Sequence, residues 1–133
     1  MPYIKPRGEQ LKRLAESPED GPVVMLNLLK FGRGEGGAGD SGEKAYDRYG
    51  EEMRSIMAER GIRLLWRGRV SSVVIGDDDA DGWDEVLLVQ YPSRQAFLEM
   101  AGSKRYEQVG EHRTAALVDS RLLALTEQFR LKD

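Results

Sequence analysis

From residue 23 to residue 29 apolar side chains follow one another with a single polar interruption, Asn27. Gly21-Pro22 precedes the run, Lys30-Phe31 completes it, and a glycine-rich segment follows. An apolar run of strand length without alternation is buried on both faces, which makes residues 23–31 a central strand. An amide inside such a strand costs about 1–3 kcal/mol unless it finds a hydrogen-bond partner. Asn27 is therefore either a structural clip or a ligand contact.

The pattern changes period along the chain. Residues 6–17 read as a short helix with Leu11, Leu14 and Ala15 on one side, broken by Ser17-Pro18. Residues 32–42 are glycine-rich loop. Residues 43–60 carry Tyr46, Tyr49, Met53, Ile56 and Met57 on one helical face, with Ser41 or Asp40 as cap and Gly61 as stop. That helix spans about 27 Å, close to the roughly 30 Å of the strand before it, as it should if it packs back along that strand. Residues 62–76 and 83–91 are two extended runs around the turn Asp77-Asp78-Asp79-Ala80-Asp81-Gly82, which makes a hairpin. In the first run Leu64, Trp66, Val70 and Val74 share one parity and Arg63, Arg67 and Arg69 the other, while Gly68 marks a bulge or a close backbone approach. Ser93 caps a helix with Phe97, Leu98 and Met100 inside. Residues 103–116 form a second helical piece carrying Tyr106, Val109, His112 and Arg113, and residues 117–129 a last strand.

After the first helix the order is β-α-β-β-α-β, the ferredoxin-like α+β arrangement, whose helices cover one face of an antiparallel sheet. The expected division is an N-terminal helical extension over residues 1–20 and one domain over residues 21–130. A central strand apolar on both sides then needs a cover for its second face. The economical cover is the same face of another copy, a two-fold homodimer.

Composition narrows the function classes. A chain of 133 residues with a formal net charge of −3 and mixed charges carries no footprint for nucleic acid. Neither a signal-length apolar core at the N-terminus nor a run of about 20 apolar residues is present, so a cytoplasmic protein without membrane contact is expected. With no Cys and one His, a zinc site of the usual kind is excluded within a subunit, and no metal is expected.

Each motif has two readings. Gly32-Arg33-Gly34-Glu35-Gly36-Gly37 satisfies G-x-G-x-x-G, but it stands six residues before the helical pattern and reads better as flexible loop. The acidic turn matches the first half of a calcium loop, yet the twelfth position is Leu88 rather than Glu, which favours a solvated turn. His112 must carry any imidazole acid–base step, or it is a surface residue bonded to Glu111 or Gln108. One axial His would suffice for haem, which stays as the alternative to no cofactor. Arg67 and Arg69 either clamp a carboxylate or pair across the hairpin, notably with Glu85.

The chain also resembles a known family, domain of unknown function 1330 (DUF1330) of the dimeric α+β barrel superfamily. The similar pieces are residues 23–31, Ala45-Tyr46-Asp47-Arg48-Tyr49-Gly50, Leu65-Trp66-Arg67-Gly68, and Trp83-Asp84-Glu85-Val86 through Tyr91-Pro92-Ser93-Arg94. Phe97-Leu98, Tyr106 and His112-Arg113 running into Asp119-Ser120-Arg121 complete a likeness covering about residues 21–125. The resemblance implies a ferredoxin-like subunit dimerising sheet to sheet, with the N-terminal helix an addition, and it implies no established activity. The wider superfamily includes muconolactone isomerases, cofactor-free monooxygenases, haem-degrading oxygenases and chlorite dismutases, with ligands between sheet and helices. Some of these use an Asn, an aromatic and a His or Tyr. Asn27, Trp66 or Trp83, and His112 are similar in kind.

Two functions follow. One is a small-molecule site in a cleft between the helix over residues 43–60 and the sheet, used for isomerisation or cofactor-independent oxidation. There His112 or Tyr106 would handle a proton, and Asn27, Tyr46, Trp66, Arg69 and Arg113 would contact the ligand. The other is a non-catalytic dimeric module whose polar core groups are satisfied internally.

Overall fold

A computed structural model describes residues 2–32 and 41–132. Residues 33–40, which hold most of the glycine-rich run with its G-x-G-x-x-G match and the alternative cap Asp40, lie outside the described residues. The elements are α1 (Gly8–Ala15), β1 (Val23–Phe31), α2 (Gly42–Arg60), β2 (Arg63–Arg69), β3 (Glu85–Tyr91), α3 (Arg94–Ala101), α4 (Lys104–Ala116) and β4 (Leu117–Leu125). The strands form one antiparallel sheet in the order β2-β3-β1-β4, so the chain is α+β and ferredoxin-like.

Local chemistry sets the ends of the helices. The hydroxyls of Ser41, Ser93 and Ser103 accept hydrogen bonds from the N–H groups of Lys44, Ala96 and Tyr106, each satisfying one otherwise orphaned donor of a first turn. Gly61 ends α2 in the left-handed region at φ 67°, where other residues are strained. Gly42 starts α2 against backbone: its N–H donates to the Gly32 carbonyl at 2.8 Å, and Gly32 N–H donates to the Ala116 carbonyl at 2.9 Å. A Cβ on Gly42 would lie 2.2 Å from the Ala116 oxygen.

In β1 burial alternates. Val23, Met25, Asn27 and Leu29 are buried under the helices, whereas Val24, Leu26 and Leu28 are half-buried on the other face. The core divides into two clusters. Val23 and Met25 join Met53, Ile56, Ile62, Tyr91, Phe97 and Met100, and Leu29 joins Tyr46, Leu87, Ala116 and Leu117. Asn27 lies between them on the same strand. On the outer face Trp66, Leu88, Leu26 and Leu123 stand side by side across all four strands. Trp66 and Leu123 are 56% and 47% exposed, and none of the four belongs to either core cluster. One chain therefore leaves open a face that the unalternating sequence of β1 marks for burial.

Several expectations are corrected. β2 stops at Arg69 rather than reaching residue 76, because β3 begins at Glu85, the partner of Arg69, and offers nothing opposite residues 71–76. Val74 and Ile75 are accordingly exposed. β4 stops at Leu125, opposite Val24, where its partner strand begins. The bulge of β2 falls between Leu64 and Trp66, not at Gly68, and this splits Leu64 and Trp66 onto opposite faces. Gly68 is instead the place of close approach: a Cβ there would lie 2.1 Å from the Trp66 ring. In α1 Leu11 and Leu14 pack on the core but Ala15 is exposed.

Candidate binding cleft

An opening of about 960 Å³ lies on the helix face of the sheet, though not under α2 as the sequence suggested. Its floor is the helix face of β1 and β4 (Met25, Asn27, Ser120, Leu122, Ala124), with Tyr91 and Phe97 beside it. One wall is α3 and α4, with Met100, Tyr106, Gly110 and Arg113, and the other is the N-terminal segment with α1. α2 contributes Tyr49 alone, because its remaining stripe packs directly on the sheet.

The N-terminal segment is held over this cleft by specific bonds. Tyr3 N–H donates to Asp119 Oδ1 at 2.9 Å, Ser120 Oγ donates to the Tyr3 carbonyl at 2.6 Å, and Arg113 Nη1 donates to the Ile4 carbonyl at 2.8 Å. The Arg121 guanidinium lies 4.9 Å from the centre of the Tyr3 ring and 5.0 Å from that of Trp83. Burial raises the Asp119 carboxyl, but the Tyr3 N–H, Arg121 and the Ser120 N–H outweigh it and leave the group below its usual value. At the far end Arg94, buried, bonds Glu19 at 2.8 Å.

Asn27 is 8% exposed and makes one hydrogen bond among the described residues, Nδ2 to the Met25 carbonyl at a long 3.4 Å. No fully buried side-chain polar atom among the described residues lacks a partner, so Asn27 Oδ1, which accepts nothing, reaches the cleft. In the same lining, the Tyr49 and Tyr106 hydroxyls are 3.1 Å apart. Burial pushes the Tyr46 phenol up to about 12 and the Tyr49 and Tyr91 phenols well up, so all three are neutral donors near pH 7. The cleft therefore meets hydroxyls rather than phenolates at Tyr49 and Tyr91.

The structure brings together Asn27, Tyr106 and Arg113, and leaves the other sequence candidates elsewhere. Tyr46 is buried beside the cleft, packed 5.6 Å from Phe31 and 5.2 Å from Tyr49 between ring centres. Trp66 lies on the opposite sheet face, moved there by the bulge before it. Arg69 pairs with Glu43 at 2.8 Å by a separate depression lined by Phe31, Ser41 and Asp84. His112 points to α2, with Nε2 3.2 Å from Glu52, a partner on another helix rather than Glu111 or Gln108. Arg67 bonds the buried Glu85 and, at 3.1 Å, Asp47, so it is engaged by carboxylates of the chain itself. In the acidic turn Asp77 Oδ1 accepts from the Asp79 and Ala80 N–H groups, which lowers its pKa. Among the described residues no three metal-ligating side chains cluster, and no helix is long and apolar enough to cross a membrane. Sequence reasoning missed the N-terminal segment as a wall. Its only legible signal was the helix pattern of residues 6–17.

The family described as domain of unknown function DUF1330 matches residues 41–126. A protein of unknown function from Rhodopseudomonas palustris is 31% identical, with a TM-score of 0.87 over 98% of this chain and 100% of that one. A DABB family protein with a ferredoxin-like fold from Mesorhizobium loti is 9% identical, with a TM-score of 0.55 over 82% and 99% of the two chains. A proposed antibiotic biosynthesis monooxygenase from Caulobacter crescentus is 15% identical, with a TM-score of 0.55 over 80% and 89%. The last two likenesses show the fold alone. No curated protein matches the chain.

Proposed function

This chain belongs to the DUF1330 family, and from that premise we propose that it binds a small, partly apolar organic molecule in the cleft beneath its N-terminal segment. One observation carries the reading: Asn27, buried in mid-strand, keeps an acceptor oxygen without a partner facing a cavity of about 960 Å³. A cleft with apolar walls and a few convergent polar groups is the usual form of a small-molecule site. Asn27 Oδ1 would orient a ligand hydroxyl or N–H. Chemistry on the bound molecule would be cofactor-independent isomerisation, or oxidation with dioxygen from solution as the electron acceptor, with the Tyr106 hydroxyl as the proton-handling group. His112, turned to Glu52, supports neither that step nor an axial haem bond in this cleft.

The functional unit we propose is a homodimer joined through the outer sheet face, whose apolar row Trp66, Leu88, Leu26 and Leu123 supports it. The same row suits a second reading, a non-catalytic dimeric module. A thermal-shift panel of small acids, phenols, neutral aromatics and haem separates the two. A compound at ten times its Kd adds about 1.4 kcal/mol of stability and shifts Tm upward. If no class of compound shifts Tm, the cleft reading fails and the module stands.

A further inference from the structure

Arg113 is half-buried on α4 and lines the cleft. Its one hydrogen bond among the described residues runs from Nη1 to a carbonyl, that of Ile4, and no carboxylate pairs with it. Its other guanidinium N–H groups have no partner there, and since no fully buried polar atom is left unpaired they face open space. The remaining cations of the cleft differ from it. Arg94 is taken by Glu19, and Lys5 and Arg13 are exposed at the rim. Glu107 and Glu111 also stand exposed at the rim. The lining thus holds four cationic side chains (Lys5, Arg13, Arg94, Arg113) against three carboxylates (Glu19, Glu107, Glu111), a local surplus of one positive charge in a chain of net charge −3. Arg113 is close enough to the aromatic wall to pull against the burial that raises Tyr46, Tyr49 and Tyr91.

A half-buried guanidinium with no carboxylate of its own can take one from a ligand, since its planar donors match a carboxylate in fork geometry. Asn27 supplies the complementary constraint, an acceptor that a ligand hydroxyl or N–H must meet. The same cleft is lined by Tyr91, Phe97, Met100 and Leu122, suited to an apolar or aromatic body. We propose that the ligand of the cleft is an organic acid with an apolar body and a second, hydrogen-donating group, its carboxylate on Arg113 and its donor on Asn27. This rests on the cleft being a binding site at all. Arg113 is also tied to Ile4, so an anion arriving there contacts the residue that fastens the N-terminal segment.

The test uses matched probes titrated against the full chain by amide NMR. Para-hydroxyphenylacetate and salicylate are each compared with their neutral amides, and phenylacetate serves as the acid lacking a hydroxyl. The acids are expected to bind at least about tenfold tighter than the amides. Arg113→Gln should collapse that ratio, Arg113→Lys should keep part of it, and Arg105→Gln, a cation paired with Glu59 outside the cleft, should leave it unchanged. Should Arg113→Gln not fold, the comparison of acid and amide on the wild-type chain still decides. Acids and amides binding alike would overturn the anion proposal while leaving the cleft reading intact, as would a ratio that survives in Arg113→Gln or falls equally in Arg105→Gln. Binding by no probe and by none of the neutral compounds would sink both.

Discussion

A half-satisfied amide in the middle of a buried strand is a stability cost that an apolar side chain would not carry. Asn27 shares its strand face with Met25 and Leu29, and its cross-strand neighbours are Leu87 and Leu122. Replacing it with leucine removes the exposed need of Oδ1 and the long bond to Met25 together. Asn27→Leu is therefore expected to be neutral or more stable by up to about 1 kcal/mol, in thermal or urea unfolding, while weakening cleft ligands about tenfold or more. A loss of more than about 2 kcal/mol would mean that the amide is a structural clip. At the same scale three residues named from the sequence, Asn27, Tyr106 and Arg113, line this one cavity, since polar groups on otherwise apolar faces stand out. It also named Trp66, Arg69 and His112, which the structure sends elsewhere. Residue type shows what a side chain can do, but a bulge or a neighbouring helix decides where it points.

Helix α2 depends on a junction too tight for a side chain. Gly42 meets the carbonyl of Ala116 and the backbone of Gly32, and backbone cannot swing aside as a side-chain tip can. Gly42→Ala is expected to cost about 1–3 kcal/mol by overpacking, read from urea midpoints, and a change within about 0.5 kcal/mol would contradict the packing. The N-terminal segment is an element of a different kind, tied down by Asp119, Ser120 and Arg113 rather than by a core. Because the folded Asp119 pKa is depressed, its contribution is complete above the unfolded value of about 3.9 and is lost as pH falls through the folded value. Hydrogen exchange should show the Tyr3 amide losing protection below about pH 4, before the core strands do. In Asp119→Ala that loss should be present already at neutral pH. Protection at Tyr3 that is the same in both proteins would show that the carboxylate does not fasten the segment.

Across the whole molecule one sheet face carries helices, cleft and core, and the other carries an open apolar row. If that row joins two copies, a charge in its centre should separate them: Leu123→Glu is expected to turn a dimer into a folded monomer in sedimentation at micromolar concentration. A wild-type monomer under the same conditions would contradict the homodimer. The proposed acid-binding cleft lies on the helix side, so monomeric Leu123→Glu should still bind the probes unless the partner shapes the cleft.

Hydrophobic periodicity and capping residues by themselves determined the element order, the helix cap at Ser93, the choice of Ser41 or Asp40 for α2, the central place of residues 23–31 and the ferredoxin-like class. These are local consequences of side-chain spacing and capping chemistry. Only the tertiary structure decided the bulge that parts Leu64 from Trp66, the ends of β2 and β4, the pairing of His112 with Glu52, and the N-terminal segment as a cleft wall. Each of these depends on which residue a distant stretch of chain sets opposite, and spacing along one sequence does not encode that register.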